Sequence, residues 1–249
     1  MRAAAFHLLA CLLGDRGLVV VAAVMAATAG LAAFLGSMTL VEGRESALVL
    51  AASTLRLGLA LGVIALVGGY LDRLRQSEER DLLLSLPLSR LRLVVGWWLG
   101  ATTVAVILTA VAALIIGALG GERAGVVAWG AGLALEGAVV AAFTVFAGIS
   151  LGRSLAIGAA LVFYAFARLS GLLAAVAATR APTLGPWGGV VEAVAGLMPR
   201  LDRCVESGWL IAAPGGGPAM APGLVFQALG LILVVLSMAT ADLARGEGR

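Results

Sequence analysis

Gly148-Ile149-Ser150-Leu151-Gly152 has the Gly-x-Ser-x-Gly spacing of a serine nucleophile turn. A serine attacks only when a base takes its proton. The sole histidine is His7, near the other end of the chain, and no strand is predicted before the motif. The same spacing suits close helix packing, small-x-x-x-small, as does Gly58 with Gly62. One histidine and two distant cysteines, Cys11 and Cys204, make no metal-ligand set, and no Cys-x-x-Cys pair exists. All 17 basic residues are arginine. Without lysine there is no phosphate-binding Gly-x-x-x-x-Gly-Lys-Ser/Thr loop and no Schiff base, so the chain cannot hold ATP by that route. No cofactor is expected.

Three charges remain that could act: Arg56, Glu136 and Arg168, each inside a long apolar segment. Each costs about 2.5–3.5 kcal/mol at mid-membrane on insertion scales. Counted from the helix ends, all three fall about 13–15 Å deep. Glu136 is therefore expected to pair with Arg168 or Arg56. Such a group is either a structural ion pair that sets helix register or a polar patch on a substrate route.

The elements that carry these charges follow from composition. Apolar residues are 61% of the 249 and charged residues 12%, with a mean hydropathy of +1.07. A soluble domain of this length cannot hide so much apolar surface. The predicted class is an all-α integral membrane protein with six spans of about 20 residues. They read as Gly17–Val41, Ala47–Leu71, Leu93–Gly121, Ala124–Leu151, Ser154–Ala178 and Gly223–Ala241. Residues 1–16, with an apolar centre from Phe6 to Leu13, resemble a leader, and Leu8-Leu9-Ala10-Cys11 resembles a lipoprotein cleavage box. The apolar run is short and a long span follows at once, so an interfacial helix is expected. The net charge of +3 and the lack of a basic patch interleaved with aromatics argue against nucleic acid.

The densest charge lies between spans two and three, Ser77 to Arg92. Ser77 is placed to cap a helix with Glu78 and Glu79 in its first turn. Leu82, Leu83 and Leu86 share a face, Pro87 stops the helix, and Ser89 caps the next one, with Arg90 and Arg92 in its first turns. A short two-faced helix between spans suits docking against another protein. With this stretch in the cytoplasm, ten arginines lie inside and five outside, which puts both termini inside. Residues 179–222 then form an external loop with six of the seven prolines. It is too apolar for a solvated loop, so short helices on or dipping into the outer leaflet are expected, covered by protein. They act as an interfacial lid or an outer gate.

Six spans with Leu-Leu-Leu-Ser-Leu-Pro-Leu-Ser-Arg after the second resemble the type 2 ABC-transporter permeases. Leu197-Met198-Pro199-Arg200-Leu201-Asp202 resembles a Pro-x-Leu-Asp element in the last external loop of many members. The apolar span ending in Ala241-Asp242-Leu243-Ala244-Arg245 also fits. The chain departs from the pattern in two places. Arg80-Asp81 replaces a Gly-Thr pair, and Trp97-Trp98 replaces a basic residue. The resemblance implies one permease domain in a bacterial cytoplasmic membrane, paired with a second permease copy. It also implies a separate ATPase docked on the coupling segment, residues 77–90, through Glu79, Arg80, Asp81, Leu82, Leu83, Leu86, Pro87, Ser89 and Arg90. The chain itself would then be no enzyme, and export is the favoured direction. The competing readings are a haem-exporter-type subunit of cytochrome c maturation, a membrane scaffold or assembly factor, and an intramembrane hydrolase at Ser150.

Overall fold

The computed structural model describes residues 2–38, 43–77, 89–178, 187–211 and 221–246. Among them there is no strand. The elements are α1 (Arg2–Leu13), α2 (Arg16–Ser37), α3 (Gly43–Gln76), α4 (Arg90–Ala118), α5 (Arg123–Ser150), α6 (Arg153–Ala178), α7 (Trp187–Leu197), α8 (Leu201–Cys204), a 3-10 turn (Ser207–Leu210) and α9 (Pro222–Gly246). Six of them, α2 to α6 and α9, are long and apolar enough to cross a membrane. The chain is thus a multi-pass membrane protein, built from helices in its described residues.

Local chemistry sets the joints. Asp15 caps α2, accepting the Gly17 N–H at 2.9 Å. The Gly17 N–H and then Arg73 hold its carboxyl below the usual range. Gly120 at φ +90° ends α4, with the Gly121 N–H reaching the Ile116 carbonyl at 3.1 Å, the 6→1 bond of a Schellman close. That stops the helix at Ala118, three residues short of the expected Gly121. Glu122 then caps α5 through the Gly125 N–H at 2.8 Å. Ser77 ends α3: its hydroxyl donates back to the Leu74 carbonyl at 3.1 Å. Ser89 stands at the N-cap of α4 as expected, but its side chain makes no capping hydrogen bond.

The contacts at the two ends show alternating helices. At one end, called proximal here, Arg73 meets Asp15 at 2.6 Å and Arg75 donates to the carbonyls of Gly148 and Leu151 at the close of α5. At the distal end Arg44 donates to the Gly120 carbonyl, and the Glu122 N–H donates to Leu210 at 3.1 Å. α1 lies across α4 and α3, with Leu8 and Leu12 fully buried and His7 Nδ1 3.1 Å from the Tyr70 hydroxyl.

α5 is the central helix: every residue from Glu136 to Ala142 is buried. α2 buries only the stripe Met25, Ala29, Ala32 and Gly36 and lies on the outside. It packs on α3 where Gly58 faces Met25 and Gly62 faces Val21, the close approach expected of that pair. Gly148 likewise faces Leu71 of α3, but Gly152 has open space around it. Gly152 sits in the turn between α5 and α6, where its carbonyl accepts the Ala156 N–H at 2.8 Å. Only the first glycine of that pair is a packing residue.

A leucine at position 62 must displace Val21, whose Cγ1 stands 2.5 Å from the site of a new Cβ. Gly62→Leu is expected to lower stability by about 1–3 kcal/mol in detergent thermal unfolding. Gly69→Ala, on the same helix with open space around it, is expected to leave stability unchanged or raise it. Acid provides a second check. A depressed carboxyl contributes stability above its unfolded value of 3.8, and loses it as pH falls through the lower folded value. Asp15→Asn should lessen the fall in unfolding temperature below that point.

Candidate functional site

The apolar face of α3 is broken once at depth, by Arg56. Arg56 is 4% exposed, and Glu136 of α5, which it meets, is fully buried. Nε donates to Glu136 Oε1 at 3.0 Å, and Nη2 stands 2.5 Å from Oε2. Nη2 also donates to the Leu201 carbonyl at 2.6 Å and Nη1 to the Val205 carbonyl at 3.0 Å. The planar fork is thus matched to one carboxylate on one side and two backbone acceptors on the other. Oε2 is held by charge proximity rather than by an aligned N–H, and the Tyr164 hydroxyl of α6 approaches the same carboxylate.

The segment 199–210 is seated here by three glycines. A Cβ on Gly132 would collide with the Cys204 carbonyl oxygen, and one on Gly125 with the Trp209 carbonyl oxygen. These two lie seven residues apart on one face of α5. A Cβ on Gly171 of α6 would collide with the Asp202 carboxylate, which Ser170 Oγ meets at 3.2 Å. Leu201, Cys204, Val205 and Leu210 are consequently almost fully buried. Irregular backbone here is covered by α3, α5 and α6, and its carbonyls are satisfied by Arg56, as an apolar surrounding requires. Burial pushes the Cys204 thiol up to about 11. Cys204 and Cys11 are both free.

Glu136 pairs with Arg56, one of the two expected partners, and not with Arg168. Arg168 is half-buried on the flank of α6, within electrostatic reach of Arg56, Glu136 and Asp202. It makes no hydrogen bond or ion pair with any described residue. The nucleophile reading of Ser150 fails on geometry: its Oγ has no hydrogen-bond partner among the described residues, while His7 is engaged with Tyr70. Among the described residues no three His, Cys, Asp or Glu side chains gather as a metal site.

The docking candidates Glu79, Arg80, Asp81, Leu82, Leu83, Leu86 and Pro87 lie outside the described residues; Ser89 and Arg90 begin α4. The acceptors at Leu201 and Val205 were not foreseen, since backbone carbonyls carry no residue signature. The spacing Gly125, Gly132, Glu136 on one helix was the available signal. No protein-family model matches the chain, and no curated protein matches it.

Removing one partner of a buried pair strands the other charge, at about 3–5 kcal/mol. Arg56→Met and Glu136→Leu should each lower stability by that order. The double variant should lose less than either single change, because no charge is left unpaired. Thermal unfolding of the four proteins closes the cycle, and strictly additive losses would show that the two groups act independently.

Proposed function

We propose that this chain is the membrane-spanning subunit of an ATP-driven transporter of the type 2 ABC permease kind, powered by a separate ATPase. What carries the reading is the charged, leucine-faced stretch 77–90, which joins α3 to α4 in a chain with no lysine and hence no phosphate loop of its own. In this reading the stretch is the coupling helix, on the cytoplasmic side of a bacterial inner membrane, and both termini share that side. α1 is the interfacial helix, and the segment with α7, α8 and the 3-10 turn is an external, partly re-entrant cap. A second permease copy completes the transporter.

The clamps on α3 give such a helix something to push. Arg75 binds the proximal close of α5, and Arg56 binds Glu136 and the cap. The two arginines are 19 residues, or about 28 Å, apart along one continuous helix. A displacement at Gln76 is therefore delivered to α5 and to the cap together.

The test is copurification from membranes of the native host. An ATPase subunit should accompany the wild-type protein, and Leu83→Asp with Leu86→Asp should release it while the unfolding temperature of the permease stays the same. A scaffold would retain its companions in both cases. Unchanged ATPase binding by the double variant would remove the docking role from this stretch.

A further inference from the structure

Of the three charges inside the apolar segments, Arg56, Glu136 and Arg168, only Arg168 is left without a hydrogen bond or ion pair among the described residues. Both carboxylates in its reach are already engaged. Glu136 is held by Arg56, and Asp202 by Ser170 at 3.2 Å and Arg200 at 3.4 Å. Among the described charges of this cluster, Arg56, Arg168 and Arg200 stand against Glu136 and Asp202, so one positive charge is in excess there. Ten residues separate Arg168 from the distal end of α6 at Ala178 and fifteen from its start at Arg153. With α6 centred in a hydrocarbon layer of about 30 Å, its Cα lies roughly 10 Å inside the layer. An ionisable group at such depth is expected to have a partner.

The surface around it specifies what that partner is made of. Arg168 is half-buried at the edge of the packed stripe of α6 formed by Ala160, Tyr164, Ala167 and Gly171. Leu161, Arg168 and Leu172 follow one another at seven and four residues and so share a flank of the helix. Leu161 is 36% exposed and Leu172 61% exposed. A single cation bracketed by exposed leucines matches a molecule with a single anionic head and an alkyl chain. Inorganic anions do not enter this depth unaided, and a zwitterionic head brings its own cation against the excess charge.

We infer that Arg168 is the anion-recognising residue of an amphiphile site on α6, binding the phosphate or carboxylate head of a membrane-borne anionic amphiphile whose chain lies along Leu161 and Leu172. The guanidinium fork takes two head-group oxygens at once, as it does with carboxylate and phosphate generally. The site rests on the transporter reading only in calling that amphiphile the cargo; the binding itself needs no ATPase.

The experiment titrates the full chain, purified in a neutral maltoside detergent, with dodecyl phosphate, dodecylphosphocholine and inorganic phosphate, followed by native mass spectrometry. Wild type should bind dodecyl phosphate at least tenfold more tightly than dodecylphosphocholine, and inorganic phosphate should not compete. Arg168→Gln should lose about tenfold in dodecyl phosphate affinity, and Arg168→Lys, which keeps the charge but not the fork, should fall between wild type and Arg168→Gln. Leu172→Glu, at an exposed position that the packing does not need, should lose affinity similarly by repulsion, and carries the test should Arg168→Gln fail to fold. Equal affinity in wild type, Arg168→Gln and Leu172→Glu would overturn the site. Competition by inorganic phosphate as strong as that by dodecyl phosphate would overturn the amphiphile. Failure of the wild type to bind dodecyl phosphate while an ATPase still copurifies refutes the site alone; binding by the wild type without any ATPase companion refutes the transporter alone.

Discussion

The arginine of α3 and the glutamate of α5 meet where neither can reach water, and the distal half of the bundle is arranged around that contact. Two charges taken from water into an apolar interior are costly, and their mutual attraction offsets this only with good geometry and with the remaining donors satisfied. Here Arg56 spends its fork on Glu136, Leu201 and Val205. The pair is therefore less a source of net stability than a constraint. It admits one register of α3 against α5, and it admits that register only when the Leu201–Val205 turn is seated between them.

Glycine makes the seating possible. A helix normally keeps a neighbouring backbone at side-chain distance, and a carbonyl cannot then reach an arginine on the far helix. At Gly125 and Gly132 the backbone of the 199–210 segment comes into direct contact with α5. Its carbonyls are brought within hydrogen-bond reach of Arg56. Close approach and charge satisfaction are two parts of one arrangement, because the buried guanidinium needs acceptors and the buried turn needs donors. Asp202, held by Ser170 in the notch at Gly171, fixes the other side of the turn to α6.

The same long helix is clamped again at its proximal end, where Arg75 holds the last carbonyls of α5 and Arg73 holds Asp15 at the start of α2. α3 and α5 thus form a stiff pair through the middle of the molecule. α2 rests on the α3 member of that pair by a single stripe, Met25, Ala29, Ala32 and Gly36. Relative motion, where the molecule has it, is cheapest between the stiff pair and the outer helices, since those joints carry few directed bonds.

The sequence by itself determined the class of molecule. Long apolar runs, few charges and short polar breaks leave helices as the only way to satisfy the backbone in lipid, and six of them are where the hydropathy put them. It also singled out Arg56, Glu136 and Arg168, because a charge in an apolar run stands out in one dimension, and it marked Gly58, Gly62 and Gly148 as contact points. Helix ends were less legible: the Schellman close at Gly120 and the backward bond of Ser77 depend on backbone angles that side-chain types only bias. What the tertiary structure alone decided was the pairing. Depth along a helix is readable from residue number, but rotation and neighbour are not. Two arginines at one depth are equivalent until packing turns one of them, Arg56, into the notch and leaves Arg168 on a flank. The two carbonyls that complete the site come from a segment 145 and 149 residues further along the chain, a distance over which local pattern carries no information.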